Sequence, residues 1–315
     1  MVGYLQPPSS KVSQGGGPEQ NTMQIKTISK QDYPFLLKQI TALPQELHYI
    51  GKIPDDSYKF LCVVGARHYS EYGRDACTKL ISGLKGYPIV IVSGLAFGID
   101  SIAHRAALEN ELITIAFPGS GLSQGVIYPK EHLGLAKEIV KSGGALISPF
   151  SHHQTGAIWT FPARNRLMAG ISHATLIVEA KKGSGTLITA DFVTEFSRDL
   201  MIVPGSIFNE LSYGPHMLMD RGARPICSSV DILESLDFVD RSKRTEVIPQ
   251  LTFDYLILTN EERKVIEELK IQSLQGSELA LKTQLPPAIL NTTLSRLEIK
   301  NLITESGGFY RIIHV

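Results

Sequence analysis

The stretch FLCVVGARHYSEYGRDACTKLISGLKGYPIVIVSG (Phe60–Gly94) decides the fold. It opens on a continuous apolar run that stops at Gly65. An amphipathic segment over Tyr72–Leu84 follows, and a second apolar run, PIVIVSG, stops at Gly94. Short runs of Val, Ile and Leu bounded by glycine are what a strand buried on both faces requires. A strand, a crossover helix and a second strand make one βαβ unit, whose crossover is right-handed.

The same alternation continues outward. Ile99–Glu109 reads as a helix, LITIAFPG (Leu112–Gly119) as a strand, Leu133–Ser142 as a helix and GALISPF (Gly144–Phe150) as a strand. HATLIVEA (His173–Ala180), a helix over Ala190–Phe196, and DLMIVPG (Asp199–Gly205) complete it. The fold class is therefore α/β, a doubly wound, mostly parallel sheet, placed at 56–236. Before it, 1–22 reads as a flexible tail marked by Gly15–Pro18, and 23–55 as a short helical segment with Leu36, Leu37, Ile40 and Leu43 on one face. After it, 237–250 is a polar linker. Residues 251–315 read as three helices and a hairpin turning at Gly307-Gly308, a winged-helix pattern, with Thr259 as the first N-cap.

Composition narrows the function. The chain has 315 residues, 31 Lys+Arg against 31 Asp+Glu, and three cysteines. Zero net charge excludes a protein that holds nucleic acid by overall basicity, though not one with a local basic pocket. Cys62, Cys77 and Cys227 offer neither a disulfide framework nor zinc spacing, which fits a cytoplasmic setting. No apolar run approaches the roughly 20 residues of a spanning helix, so no membrane partner is expected. His152-His153 lacks a third ligand and reads as a polar loop, so no metal and no cofactor are expected.

Open α/β sheets bind ligands outside the carboxyl ends of their strands, and here those ends are rich. Gly65 permits close backbone approach and Arg67 offers a fork for phosphate. In SGLAFGIDSIAH, Ser93, Gly94 and Gly98 form a loop, with Asp100 and Ser101 as capping groups. His104, one turn beyond Asp100, admits a catalytic pair or a plain structural histidine. Gly119 begins a Gly-x-Gly turn that fails the dinucleotide fingerprint, because Gln124 takes its sixth position. WTFPARNRLMAG gathers Phe161, Arg164, Asn165 and Arg166, a ring to stack a base and arginines to meet phosphates; the plainer reading makes the ring core and one arginine structural. KKGSGT, Lys181–Thr186, joins Lys181, Lys182, Gly183, Ser184 and Gly185 in an anion cradle without being a Walker A loop, unless the lysines are merely solvated. The last loop, with Gly205, Ser206 and Gly214, reaches the same edge.

Taken in order, VVGARxxSxYG, IVSGLAFGIDSIAH, GSGLxxxYP, FPARNRLMAGIS, LIVEAKKGSGTLITA, VPG and GxxxLMDRGA resemble the DNA-processing protein A family (DprA, also called Smf) over about Tyr33–Ala223. The resemblance implies an extended Rossmann-like fold and a DNA-binding recombination mediator. Such a protein binds single-stranded DNA in a basic pocket, forms a homodimer and helps load RecA in natural transformation, with no catalytic residues. It also places Gly65, Arg67, the Ser93–Gly98 loop, Gly119, Phe161, Arg164, Asn165, Arg166 and Lys181–Gly185 in one pocket. Ala66 stands where the family commonly has a hydroxyl residue. The rival is a Rossmann-like nucleotide N-glycosidase, whose PGGxGTxxE motif KGSGTLIT superficially resembles; its glutamate would fall at Thr189, which has no carboxylate. A small-nucleotide sensor uses the same crevice.

Overall fold

The structure is a computed structural model that describes residues 23–239, 258–300 and 302–312. The chain divides into two compact units, with the division after residue 242. The expected tail at 1–22 and most of the expected linker lie outside the described residues.

The larger unit is built on a nine-stranded sheet. Its strands are β1 (Lys26–Ser29), β2 (Glu46–Gly51), β3 (Lys59–Val64), β4 (Ile89–Ser93), β5 (Ile113–Ala116), β6 (Ala145–Ser148), β7 (Ala174–Ile177), β8 (Asp199–Ile202) and β9 (Arg224–Pro225). The order across the sheet is β1-β2-β6-β5-β4-β3-β7-β8-β9. From β3 the chain winds outward through β4, β5 and β6, then returns to the other side of β3 for β7, β8 and β9. That reversal is a topological switch point, and it lies between β3 and β7.

Helices cover both faces. They are α1 (Phe35–Lys38), α2 (Glu71–Ser82), α3 (Ile99–Glu109), α4 (Leu133–Lys141), α5 (Thr160–Ile171), α6 (Gly185–Glu195), α7 (Tyr213–Asp220) and α8 (Ser229–Ser235). Successive side chains of a strand face opposite ways, and β3 shows the consequence. Phe60, Cys62 and Val64 enter one core with Leu167 and Met168 of α5 and Ala190 of α6. Leu61 and Val63 enter the other, with Leu80 of α2, Ala103 of α3 and Ile232 of α8. Each face of the sheet thus has its own apolar layer, which explains why β3 reads as a continuous apolar run.

The N-terminal segment differs from expectation. Only four residues, Phe35–Lys38, are helical in α1; β1 and β2 form an antiparallel hairpin, and β2 pairs antiparallel with β6. In β2 only Leu47 and Ile50 are buried, so the strict alternation that marks a half-buried strand is missing. A second difference is α5, which occupies the whole aromatic–arginine segment. Pro162 falls in its first turn, where a missing N–H costs nothing.

The C-terminal unit contains α9 (Asn260–Ile271), β10 (Leu274–Gln275), α10 (Gly276–Thr283), α11 (Pro287–Ile299), β11 (Ile303–Ser306) and β12 (Phe309–Ile312). Thr259 caps α9 in a capping box with Glu262. Gly307 and Gly308, at φ 62° and 83°, make the two-residue turn that pairs Ser306 with Phe309. A short strand not expected from the sequence, β10, joins this hairpin to form a three-stranded sheet ordered β10-β12-β11. Lys300 Nζ sits 2.8 Å from both Glu262 carboxylate oxygens.

Candidate nucleic-acid interface

A crevice of about 760 Å³ opens at the switch point. Its walls are the turn after β3 (Gly65, Ala66, Arg67, His68), the start of α3 (Asp100), one face of α5 (Phe161, Arg164, Asn165, Met168), the turn into α6 and its first turns (Lys181, Ser184, Gly185, Thr186, Thr189) and the loop after β8 (Phe208–Leu211). Five segments that are far apart in sequence meet here because parallel strands deliver their carboxyl ends to one edge.

Phe161 is the centre of the site. Two guanidinium groups lie close to its half-buried ring, with Arg67 Cζ 5.3 Å and Arg164 Cζ 5.7 Å from the centroid. Tyr128 meets the ring edge-on at 6.2 Å. Gly119 lies beneath it, and a Cβ there would stand 2.6 Å from the ring carbons and displace the ring. Arg67 itself is exposed, and no carboxylate among the described residues pairs with it within ion-pair distance.

Arg164 does something other than meet phosphate. It is buried, at 5% exposure. Its Nη1 donates to the Gly94 carbonyl, and to the Phe117 carbonyl at 2.7 Å. Its Nη2 stands 3.8 Å from Asp100 Oδ2. Burial pushes the Asp100 carboxyl up from the ordinary carboxylate range, while Arg164 beside it pulls the other way. The buried pair clamps the ends of β4 and β5 and supports Phe161 from below. Gly94 must lack a side chain because a Cβ would stand 2.5 Å from the guanidinium.

The turn after β7 is tied to the turn after β3 by hydroxyl groups. Ser184 caps α6 by accepting from the Thr186 N–H, and donates to Thr186 Oγ1 at 3.1 Å. Thr186 Oγ1 in turn donates to the Gly65 carbonyl at 3.2 Å. Gly183, at φ 74°, lets the chain turn into the helix. The N-terminal end of α6, with its partial positive charge, borders the crevice. Asn165 Nδ2 donates to the Gly185 carbonyl at 3.5 Å.

Several expected contacts fall elsewhere. Arg166 is two residues from Arg164 on a helix, so it emerges on another face. It bonds Glu195 and the Thr41 carbonyl and lies over the Phe192 and Phe196 rings. Lys182 is not among the residues that line the crevice, and its Nζ stands 5.9 Å from the Tyr213 ring. Ser93 is fully buried and donates to the Val63 carbonyl, and Gly98, at φ 80°, packs against the Ala66 carbonyl. Both shape the site from behind. Asp100 and His104 do not pair: His104 Nδ1 bonds Thr114 Oγ1 at 2.7 Å in the core. Neither Asp100 nor Ser101 caps α3, whose N-cap is Gly98. Glu179 is buried and accepts from the Ser70 backbone N–H and hydroxyl, anchoring α2. No cluster of three metal-ligating side chains occurs among the described residues, and His152 packs edge-on against His48.

Two contributors were not anticipated, Met168 and Thr189 in the floor; the last loop reaches the crevice as expected, but through Phe208–Leu211 rather than Gly205, Ser206 and Gly214. Phe208 had a visible signal, an aromatic residue in a polar Gly/Ser/Asn loop at a strand's carboxyl end.

The family model for DNA recombination-mediator protein A matches residues 24–237, which contain every wall of this crevice. The chain belongs to that family. It is 39% identical over 206 residues to DNA processing protein DprA of Streptococcus pneumoniae, covering 65% of this chain and 72% of that one. Protein Smf of Escherichia coli is 37% identical over 220 residues, covering 70% of this chain but 58% of the relative. The crystal structure of the streptococcal DprA superposes with a TM-score of 0.62, at 37% identity over 68% of this chain and 75% of that chain. A DprA from Helicobacter pylori, described for its single-stranded DNA binding mode, superposes with a TM-score of 0.60 at 26% identity, over 68% and 95%. The α/β unit thus has the DprA fold. No helix among the described residues is long and apolar enough to cross a membrane.

Proposed function

We propose that this DprA-family chain is a single-stranded DNA-binding recombination mediator that seats the strand in the switch-point crevice. The observation that carries the reading is the Phe161 ring flanked by Arg67 and Arg164, with Lys181 and the α6 N-terminus across the crevice. A ring stacks any base, and the flanking cations meet the phosphates, so recognition is of chain type rather than sequence. Stacking needs an unpaired base, which disfavours duplex.

The finer parts of the reading are a homodimer that passes the bound strand to RecA, in the cytoplasm, as an incoming strand in transformation would require. No catalytic step is assigned to the crevice. The Asp100 carboxyl lies beside Arg164, His104 is committed to Thr114, and Thr189 occupies the place where the N-glycosidase motif carries its glutamate. For the C-terminal unit we favour a winged-helix module, on its order of helix, strand, helix, helix, strand, strand. Its third helix, α11, carries one basic residue, Arg296, in its last turn, which suits a partner contact or weak DNA binding rather than strong duplex reading.

The test is binding of the full chain to fluorescent oligo-dT, matched duplex and mononucleotides at two salt concentrations. Salt-sensitive binding that prefers the single strand supports the mediator. Equal affinity for a mononucleotide would transfer the crevice to the small-nucleotide reading.

A further inference from the structure

One ring touches the crevice without lining it. Tyr128 lies in the turn after β5, outside the crevice walls, yet its ring meets that of Phe161 with centroids 6.2 Å apart and planes inclined at 63°. The residue is 44% exposed. Its neighbours on both sides in the chain are buried: Ile127 belongs to the apolar cluster of Leu95, Leu122 and Leu135, and Pro129 is covered. The Val126 and Ile127 N–H groups donate to the Ser123 carbonyl at 2.9 and 3.3 Å. The Ser123 N–H donates to the His152 carbonyl, in the loop after β6, at 3.0 Å. The turn is thus fastened to the core and to its neighbouring loop while it displays one aromatic side chain to water.

A single exposed ring is ordinary on a protein surface. Tyr128 differs because of the ring it touches. An edge-to-face pair leaves at least one face of each ring uncovered by the other. Gly156 abuts both rings and adds no side chain over them: a Cβ there would stand 3.7 Å from Phe161 Cζ and 3.8 Å from Tyr128 Cβ. Open aromatic faces beside a cation are what a single strand uses to seat successive bases, and Arg67 Cζ lies 5.3 Å from the Phe161 centroid. Because the ring planes differ by 63°, two bases stacked on them are turned through a similar angle and cannot stack on each other. Successive bases of a duplex lie nearly parallel, so a duplex cannot use both rings.

We infer that Tyr128 is a second stacking platform of the single-strand site, carrying the base next to the one on Phe161 and bending the strand where it leaves the crevice. This rests on the single-strand reading of the crevice and adds a residue that the crevice walls do not include. Tyr128 seats a base of its own rather than propping Phe161.

The experiment measures, by fluorescence anisotropy, binding of the full chain to oligo-dT and to an abasic phosphate chain of equal length. Tyr128→Ala is expected to weaken oligo-dT binding about fivefold or more and abasic binding less than about twofold, and Tyr128→Phe to stay near wild type. A prop would act only through Phe161, so the same substitution is also made in a Phe161→Ala background. A further loss of about fivefold there supports a separate platform; no further loss, or an equal loss on the abasic chain, overturns it. The substitution leaves the buried neighbours of Tyr128 unchanged, and the wild-type chain supplies an independent measurement. Oligo-dT carrying iodouracil, photo-crosslinked and mapped by mass spectrometry, is expected to form an adduct at Tyr128. Adducts at Phe161 with none at Tyr128 would overturn the inference. If Phe161→Ala and Arg67→Ala weaken binding while Tyr128→Ala does not, the crevice stands and the second platform falls. A wild-type chain that shows no preference for the single strand refutes both.

Discussion

The salt dependence of binding separates the cations that the structure leaves free in the crevice from those it commits elsewhere. Five basic residues in the site motifs, Arg67, Arg164, Arg166, Lys181 and Lys182, are all candidates for phosphate contacts. In the crevice only Arg67 and Lys181 are exposed; Arg164 is buried against two carbonyls and Asp100, Arg166 is paired with Glu195, and Lys182 faces Tyr213. Each phosphate neutralised on a single strand contributes about 0.7 to the slope of log K against log salt. Removing both free cations by Arg67→Ala and Lys181→Ala is therefore expected to flatten the slope by about 1.4, and each single substitution by about 0.7. Arg166→Ala is expected to leave the slope as it is. Fluorescence anisotropy of labelled oligo-dT over four or five salt concentrations measures this directly. A slope that flattens for Arg166→Ala as much as for Arg67→Ala would refute the assignment, because it would require the Glu195 pair to open on binding.

Phe161→Ala is expected to cost about 1–3 kcal/mol of oligo-dT affinity, roughly five- to 150-fold, while an abasic phosphate chain of equal length loses little; equal losses on both would show that the ring does not stack a base. Arg166→Ala acts on stability instead, since it removes charge-assisted bonds to Glu195 and the Thr41 carbonyl. A loss of about 1–3 kcal/mol by urea titration is expected, and an unchanged midpoint would contradict it. His104 sets a pH dependence: burial holds its pKa down to about 3, so the folded state keeps the neutral ring. Below about pH 6.5 the unfolded chain takes up a proton that the folded chain refuses, and stability falls by about 1.4 kcal/mol per pH unit until the folded state also titrates. His104→Gln should therefore lose less melting temperature than wild type between pH 7 and pH 5, and parallel losses would assign the acid sensitivity to other groups.

The sheet was legible because its signal is local. A strand buried on both faces is apolar along nearly its whole length, and Phe60–Val64 and Ile89–Val92 are. α3 occupies Ile99–Glu109, the span its pattern predicts, and the hairpin at Gly307-Gly308 follows from two residues that tolerate positive φ. The hairpin of β1 and β2 was not legible: its burial comes from pairing with β6, about a hundred residues away, and leaves no strict period in ELHYIG. The start of α6 was read late for a related reason. Its first turn is the glycine-rich loop itself, capped by Ser184.

The motifs by themselves determined which loops carry the site, because glycine, arginine and aromatic residues at strand ends announce a ligand edge whatever their orientation. Orientation was decided only by the tertiary structure. Arg164, Asn165 and Arg166 are adjacent in sequence, yet a helix turns about 100° per residue, sending the first into the core, the second to the crevice and the third to Glu195. Lys181 and Lys182 part in the same way, the first lining the crevice and the second standing with its Nζ 5.9 Å from the Tyr213 ring. Residue type is a property of the chain, but the direction of a side chain depends on the backbone that carries it and on the neighbours that other segments bring beside it.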